Sequence, residues 1–162
     1  MENLSQIYSQ YKQGLFSLAL SVLKSSAEAE DAVHDAFMKL ARKNVTPKGD
    51  SVSYVFATVR NAALDRLRKK KRVVDAPDFV FEDEMSREEK PGSSLMERER
   101  NFIIRKEIEK LDDPNKEVIL LKLFSGLTFE QIAEIRNEPL STVSSRYART
   151  LKSLKYKMET LV

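Results

Sequence analysis

Three groups of polar side chains have types and spacings that suit charged partners. Residues 66–72 place six cations in seven positions, and such a run favours a polyanion. Glu28, Asp31 and Asp35 are three and seven residues apart, so they lie on one face of a helix. Residues 141–149 combine hydroxyl side chains with two arginines, which can bind base edges or phosphates.

The composition excludes many catalytic sites. The 162 residues include no Cys, which rules out disulfides, thiolate metal sites and cysteine nucleophiles. The single histidine, His34, cannot build a multi-histidine metal site. Glu28, Glu30, Asp31 and Asp35 leave open a magnesium-dependent nucleotide hydrolase, although such sites usually draw carboxylates from more than one helix. Most hydrolase sites are therefore excluded, and we expect no metal and no cofactor.

The composition also indicates the fold class. With only 4 Gly and 5 Pro, the chain has few turn residues for a many-stranded sheet, and this favours an all-α fold. The uncharged stretch at residues 13–23 is far shorter than the roughly 20 apolar residues of a membrane span. The N-terminus carries no basic leader. We expect a cytoplasmic protein with no membrane insertion.

Periodic apolar residues predict three helices in residues 1–72, which form the first domain. The first helix ends near Lys24, and Ser25 with Glu28 is a capping-box signature for the second. The third follows a turn at residues 44–50 and carries the basic run at its end. Asp65 is placed to pair with the cations three and four residues later.

Residues 73–100 break this pattern. They carry 9 acidic and 4 basic side chains, whereas residues 1–72 carry 7 acidic and 13 basic ones. Pro77, Pro91 and Gly92 also oppose a continuous helix. We predict an acidic extended linker.

Helical periodicity returns in residues 101–162, the second domain. Asp113 before Pro114 predicts a helix start. Val118, Leu121 and Phe124 form the expected buried stripe of that helix, which Gly126 should end.

The strongest local pattern follows and predicts a helix-turn-helix. Thr128 and Gln131 form a second capping box, and the short helix ends near Arg136. Asn137 tolerates a left-handed turn conformation, and Ser141 is predicted to cap a long last helix. Two helices joined by about four residues, the second with exposed polar side chains, suit this motif. An ordinary helical hairpin is the alternative.

Stretches of both domains resemble extracytoplasmic-function (ECF) sigma factors. Residues 27–37 and 53–68 resemble sigma-70 region 2, and residues 128–135 and 142–146, within residues 111–154, resemble region 4. The resemblance implies an alternative sigma factor, a non-enzymatic subunit that binds core RNA polymerase and directs it to promoter DNA. The acidic linker would be either a mimic of nucleic acid, as the family suggests, or a soluble spacer. Region 2 would melt the minus-ten element, and region 4 would read the minus-thirty-five element.

The resemblance also implies roles for individual side chains. The acidic face of the second helix would dock on core polymerase through Glu28, Asp31 and Asp35. The third helix would contact the minus-ten element through Arg60, Asn61, Arg68, Lys69 and Arg72. The last helix would contact the minus-thirty-five element through Thr142, Ser144, Ser145, Arg146 and Arg149.

Two further hypotheses concern partners. The competing function is a helix-turn-helix regulator that acts without core polymerase, although such a regulator would not need the first domain. The resemblance also raises an anti-sigma protein as a partner, inserted between the two domains.

Overall fold

The computed structural model describes residues 3–43, 49–73 and 94–161, and within these ranges it contains helices and no strand. The predicted all-α fold is confirmed. The helices are α1 (Leu4–Leu23), α2 (Ser26–Lys43), α3 (Ser51–Val73), α4 (Leu95–Glu109), α5 (Asp113–Ile119), a π-helical segment (Leu120–Phe124), α6 (Phe129–Arg136) and α7 (Leu140–Leu161). Among the described residues, no helix is long and apolar enough to span a membrane.

Helices α1, α2 and α3 form the first module, in which each helix packs against the other two. Asn3 and Gln6 form a capping box at the start of α1, and Lys24 ends the helix in a left-handed conformation. At the start of α2, the Glu28 N–H donates to Ser25 Oγ over 3.4 Å, which is one half of the predicted capping box, while the Glu28 carboxylate pairs with Lys70. Asp50 caps α3, because its carboxylate accepts from the Ser53 N–H at 2.8 Å.

The second module comprises α4 to α7. Helix α4 begins at Leu95, inside the range 73–100 that the sequence assigned to the linker. Ser94 explains this start, because its side chain accepts a hydrogen bond from the Glu97 N–H at 3.1 Å. Residues 74–93, which include the rest of the predicted linker, lie outside the described residues.

The start of α5 and its buried stripe differ from the prediction. The N-cap is Asp112 rather than Asp113, so Pro114 occupies the second helical position. Val118 and Leu121 are fully buried as predicted, but Phe124 is 46% exposed. The wider turn of the π-helical segment explains the error, since it rotates the residues after Leu120 away from a 3.6-residue register.

The helix-turn-helix is confirmed in outline. Thr128 and Gln131 form the predicted capping box, and Asn137 adopts a left-handed conformation with φ 54°. Ser141 does not cap α7, contrary to the prediction. The Pro139 carbonyl already accepts from the Val143 N–H at 3.2 Å, so the helical turn begins before Ser141.

The two modules pack against each other around one hydrophobic core. Helix α3 lies against α6, while α1 lies against α5 and the π-helical segment. The core of the first module continues into buried side chains of the second, namely Val118, Leu121, Leu127, Ile132, Ile135 and Val143. A smaller cluster joins α4, α5, the π-helical segment and α7 through Ile108, Ile119, Leu120 and Leu154.

Gly14 lies where α1 and the second module approach each other closely. It lies in the middle of α1, where glycine costs about 0.5–1 kcal/mol relative to alanine. A Cβ atom at this position would lie 3.0 Å from the Cβ of Ser125 and closer still to the Ser125 hydroxyl. The missing side chain therefore lets the second module pack directly on α1.

Candidate nucleic-acid interface

An open groove between α2 and α3 gathers part of the predicted site. Its lining includes the Tyr54 ring, the Asn61 amide and an excess of cations over carboxylates. The cations are Lys39, Lys43, Arg66, Arg68, Lys69 and Lys70, and the carboxylates are Glu28, Asp35 and Asp65. Arg68 and Lys69 are about three-quarters exposed. Cations around an amide and an aromatic ring suit a nucleic-acid strand, because they offer phosphate pairing, base hydrogen bonds and stacking.

The predicted ion pairs of Asp65 are present at the end of this groove. Its carboxylate lies 3.4 Å from Arg68 and 3.2 Å from Lys69. The hydrogen bond from Lys69, together with its positive charge, lowers the pKa of Asp65 below the usual value. These pairs are exposed to solvent, so phosphate can replace the carboxylate at little cost.

The acidic face of α2 divides into two kinds of side chain. Glu28 pairs with Lys70 at 3.0 Å and Asp35 pairs with Arg66, so both are held by cations of α3. Asp31 is exposed. The side chain of Asp35 is also 61% exposed, so both aspartates of the predicted docking group are accessible to a partner, whereas Glu28 is partly buried.

Arg60 and Asn61 point in different directions. Asn61 lines the groove, whereas the Arg60 Nε–H donates to Glu117 of the second module. Neighbouring residues on a helix do not share a face, and this explains the separation. The side chain of Arg72 lies outside the described residues, as do residues 44–48 of the turn predicted before α3.

Arg60 is one end of an alternating series of charges that crosses both modules. Glu117 also pairs with Arg136 at 2.9 Å, Arg136 pairs with Glu138, and Glu138 pairs with Arg146 at 2.7 Å. We call this series, Arg60–Glu117–Arg136–Glu138–Arg146, the ion chain. It joins an arginine predicted to bind the minus-ten element to one predicted to bind the minus-thirty-five element.

Burial and neighbouring charges shift the pKa values of the ion chain in opposite directions. The side chains of Glu117 and Arg136 are only 8% and 9% exposed. Burial lowers the pKa of Arg136, but Glu117 and Glu138 outweigh burial and raise it. Likewise, burial raises the pKa of Glu138, but the hydrogen bonds from Arg146 and Arg136 outweigh burial and lower it. Each charge in the centre of the chain therefore depends on its neighbours.

The predicted recognition residues on α7 also differ in accessibility. Ser145 and Arg149 are exposed, while Thr142, Ser144 and Arg146 are partly buried. Ser144 Oγ donates to the Ser141 carbonyl at 3.3 Å. Only two members of this predicted group are therefore fully accessible in this packing.

Sequence reasoning missed the three central members of the ion chain. Glu117 and Arg60 are 57 residues apart, and no local spacing connects them. The sequence did contain one signal for Glu117, because this charged residue stands next to Val118 of the predicted buried stripe. Sequence reasoning also missed the hydrogen bond that Gln131 Nε2 donates to the Asp50 carboxylate at 3.0 Å, which joins the N-terminal caps of α6 and α3.

Two family models match the two modules. Residues 7–73 match sigma-70 region 2, and residues 101–154 match sigma-70 region 4. The chain belongs to the sigma-70 family and is an ECF sigma factor. The predictions of the family and of a function in transcription initiation are confirmed.

Similar proteins cover nearly all of this ECF sigma factor. It is 29% identical to the ECF RNA polymerase sigma factor SigW of Bacillus subtilis, over 93% of this chain and 86% of that protein. It is 26% identical to the ECF RNA polymerase sigma-E factor of Escherichia coli, over 85% and 77%.

One solved structure is similar to this chain over both modules. The sigma factor RpoE of Bartonella quintana, solved in complex with the anti-sigma factor NepR, covers 98% of each chain with a TM-score of 0.70 and 21% identity. This likeness supports the fold of the ECF sigma factor across both modules.

The acidic residues of α2 do not form a metal centre in the structure. In residues 3–43, 49–73 and 94–161, no group of three or more histidine or acidic side chains is arranged to hold a metal ion. Glu28 and Asp35 instead pair with Lys70 and Arg66.

Proposed function

We propose that this sigma factor binds core RNA polymerase in the cytoplasm and carries two promoter-reading modules. Residues 1–72 recognise and open the minus-ten element, residues 101–162 recognise the minus-thirty-five element, and residues 73–100 link them. The chain catalyses no reaction itself. The observation that carries the proposal is the pairing of a cation-lined groove on region 2 with a helix-turn-helix in region 4.

The groove makes two kinds of contact with the minus-ten element. Arg68 and Lys69 bind phosphates at the groove, and the phosphate contacts fix the position of the strand. The Asn61 amide can both donate to and accept from a base edge. Arg72 extends the phosphate contacts, and Arg60 joins them when Glu117 is displaced.

Helix α7 enters the major groove of the minus-thirty-five element with its N-terminal half. Ser145 and Arg149 are accessible for the first contacts, which their exposure supports. Thr142 and Ser144 lie beside them and add hydroxyl contacts. Arg146 becomes available when its bond to Glu138 is exchanged for a phosphate or a guanine edge.

Docking on core polymerase depends mainly on Asp31. Asp31 and Asp35 are both exposed, but Asp35 pairs with Arg66 and the partly buried Glu28 pairs with Lys70. Glu28 and Asp35 therefore add negative charge to the docking surface around Asp31.

An anti-sigma protein is a further proposed partner. The similar RpoE of Bartonella quintana and the similar CnrH were both solved in complexes, with NepR and with the cytosolic domain of CnrY respectively. In this chain a partner inserted between the modules would have to separate α3 from α6. Co-purification from unstressed cells tests the proposal, and recovery of an active chain without a partner would contradict it.

The test of polymerase docking compares Asp31→Ala with Glu30→Ala, an exposed acidic neighbour on a different face of α2. Asp31→Ala should weaken binding to core polymerase by roughly tenfold, a loss of about 1.4 kcal/mol. Glu30→Ala should bind as the wild type does. Run-off transcription on genomic fragments then checks for discrete start sites.

A different outcome would favour the competing function. If the chain does not bind core polymerase but binds specific DNA alone, it acts as a helix-turn-helix regulator. Equal binding by both variants would remove Asp31 from the docking surface without affecting the rest of the proposal.

A further inference from the structure

Arg146 of the last helix is held through one of its three nitrogens. Both carboxylate oxygens of Glu138 accept from Arg146 Nη1, at 2.9 Å and 2.7 Å. Among the described residues, none accepts a hydrogen bond from Arg146 Nε or Nη2. We propose that Glu138 is a positioning residue for the minus-thirty-five element, which fixes Arg146 so that its Nε–Nη2 edge binds a guanine. The inference deepens the proposed function and rests on it, since it requires α7 to enter the major groove.

The chemistry of the guanidinium group allows Arg146 to bind both partners at once. Arginine carries five N–H donors in a rigid planar fork. Guanine presents N7 and O6 as two neighbouring acceptors in the major groove, and arginine binds them with two N–H groups. While Nη1 is bound to Glu138, Nε and Nη2 still offer two such donors on one edge. Exchange of the Glu138 bond is therefore needed only for contacts through Nη1.

The backbone of Glu138 is fixed at the turn between the two helices. Asn137 precedes it in a left-handed conformation, and Pro139 follows it and restricts the conformation of the residue before. The Glu138 N–H donates to the Ala133 carbonyl of α6 at 3.1 Å. The side chain of Glu138 therefore starts from a defined point beside α7.

The carboxylate of Glu138 is also held from behind. Arg136 Nε donates to Glu138 Oε1, and Arg136 pairs with Glu117 of α5 at 2.9 Å. The side chains of Arg136 and Glu117 are almost completely buried, so this support is part of the core of the second module. Because Glu138 is attached to a buried pair, it defines where Nη1 of Arg146 lies.

Arg146 lies on the face of α7 that is proposed to meet DNA. Thr142 is four residues before it and Arg149 is three residues after it, so the three share one face of the helix. The side chain of Arg146 is 20% exposed, which leaves it accessible at the edge of this face. An arginine that is already held loses less conformational freedom when it binds a base, and pre-organisation of this kind favours binding.

The test measures base preference at each position of the minus-thirty-five element. Core polymerase carrying the wild type or a variant selects sequences from a promoter library in which this element is randomised. Arg146→Ala should abolish one guanine preference of about tenfold, which identifies the position that Arg146 reads. Glu138→Ala should abolish the same preference and leave the other positions unchanged. The double variant should lose no more than Arg146→Ala alone, since both changes act on one contact.

Two further variants separate positioning from a general loss of structure. Glu138→Gln keeps an oxygen that accepts from Nη1 but loses the charge, so the guanine preference should fall to about threefold. Glu134→Gln removes an exposed carboxylate of the same helix-turn-helix and should keep the wild-type preferences.

The salt dependence of promoter affinity gives a readout that a merely structural role would not produce. In Glu138→Ala, Nη1 of Arg146 can bind a phosphate, because no carboxylate competes for it. The slope of log affinity against log salt should therefore become steeper, by up to about 0.9, while the guanine preference is lost. Fluorescence anisotropy of the polymerase complex on promoter DNA measures this slope.

Three results would overturn the proposal. They are an unreduced guanine preference in Glu138→Ala or Glu138→Gln, an equal weakening at every position in both variants, and unchanged preferences in Arg146→Ala. If Glu138→Ala does not bind core polymerase, Glu138→Gln decides between these outcomes. A wild-type chain that binds core polymerase but selects no minus-thirty-five sequence would instead contradict the proposed function.

Discussion

The ion pairs within the first module and those of the ion chain differ in burial and in what they connect. Asp65, Asp35 and Glu28 pair with cations of their own module at partly or largely exposed positions. Glu117 and Arg136 are almost completely buried and belong to a series that joins both modules. Exposed pairs contribute little stability, whereas removing one member of a buried pair leaves a charge without compensation. The first group can adapt to DNA locally, whereas the second holds the second module together and joins it to α3 through the Arg60–Glu117 pair.

The largest effect should follow from removing the centre of the ion chain. Arg136→Gln leaves Glu117 and Glu138 without their shared cation, so we expect the free energy of unfolding to fall by about 3 kcal/mol. Urea denaturation measures the change. Arg149→Gln, an exposed arginine on α7, is the control and should change stability little. If Arg136→Gln lowers the free energy of unfolding by no more than the control does, the buried ion chain does not differ in stability from the exposed pairs.

The next effect is on the pH dependence of stability. The pKa of Glu138 is lowered in the folded chain, so its contribution is complete above the usual glutamate value of 4.5 and is lost as the pH falls through the lower folded value. Glu138→Gln should therefore flatten the acid side of the stability profile. Thermal unfolding between pH 6 and pH 3 tests this, with Glu130→Gln as an exposed control. Parallel acid profiles for the wild type and Glu138→Gln would contradict it.

A smaller effect should appear in DNA binding by the groove. Lys69→Gln removes one proposed phosphate contact, so the slope of log affinity against log salt should decrease by about 0.7–0.9. Fluorescence anisotropy of the polymerase complex on promoter DNA measures the slope. Lys155→Gln, an exposed cation near the end of α7, should leave the slope nearly unchanged. Equal slopes for Lys69→Gln and the wild type would place the strand outside the groove.

The smallest effect should come from Asp65. Asp65→Asn removes exposed pairs with Arg68 and Lys69, and double-mutant measurements of such pairs usually give under about 1 kcal/mol. Stability should hardly change, while affinity for DNA should rise modestly because Lys69 no longer has a competing carboxylate. Denaturation and anisotropy on the same variant check both statements. If Asp65→Asn lowers stability as much as Arg136→Gln does, burial does not explain the difference between the exposed ion pairs and the ion chain.

The parts of the fold that the sequence predicted depend on local patterns. The capping box of Thr128 and Gln131 and the left-handed Asn137 each involve residues close together in sequence. Phe124 was misplaced because a single π-helical turn changes the register without a distinctive residue type. Ser141 was misassigned because the preceding proline carbonyl can start the helix equally well.

The candidate site was predicted less completely, because its assembly depends on long-range packing. Arg60 was identified as a cation of α3, but its direction depends on Glu117 in the other module. Gly14 offered a signal, since a glycine in the middle of a long apolar helix often accommodates a close neighbour. The identity of that neighbour, Ser125, required the structure.

Cross-linking to promoter DNA tests the central claim most directly. Thr58→Cys in the groove and Ala148→Cys beside Arg149 would each carry a photoreactive group in the presence of core polymerase. We predict cross-links at two positions about 25 base pairs apart on one promoter, near minus ten and minus thirty-five. Cross-links from both positions within a few base pairs of each other would contradict two separate promoter-reading modules, and specific cross-links that form equally without polymerase would contradict the sigma factor mechanism.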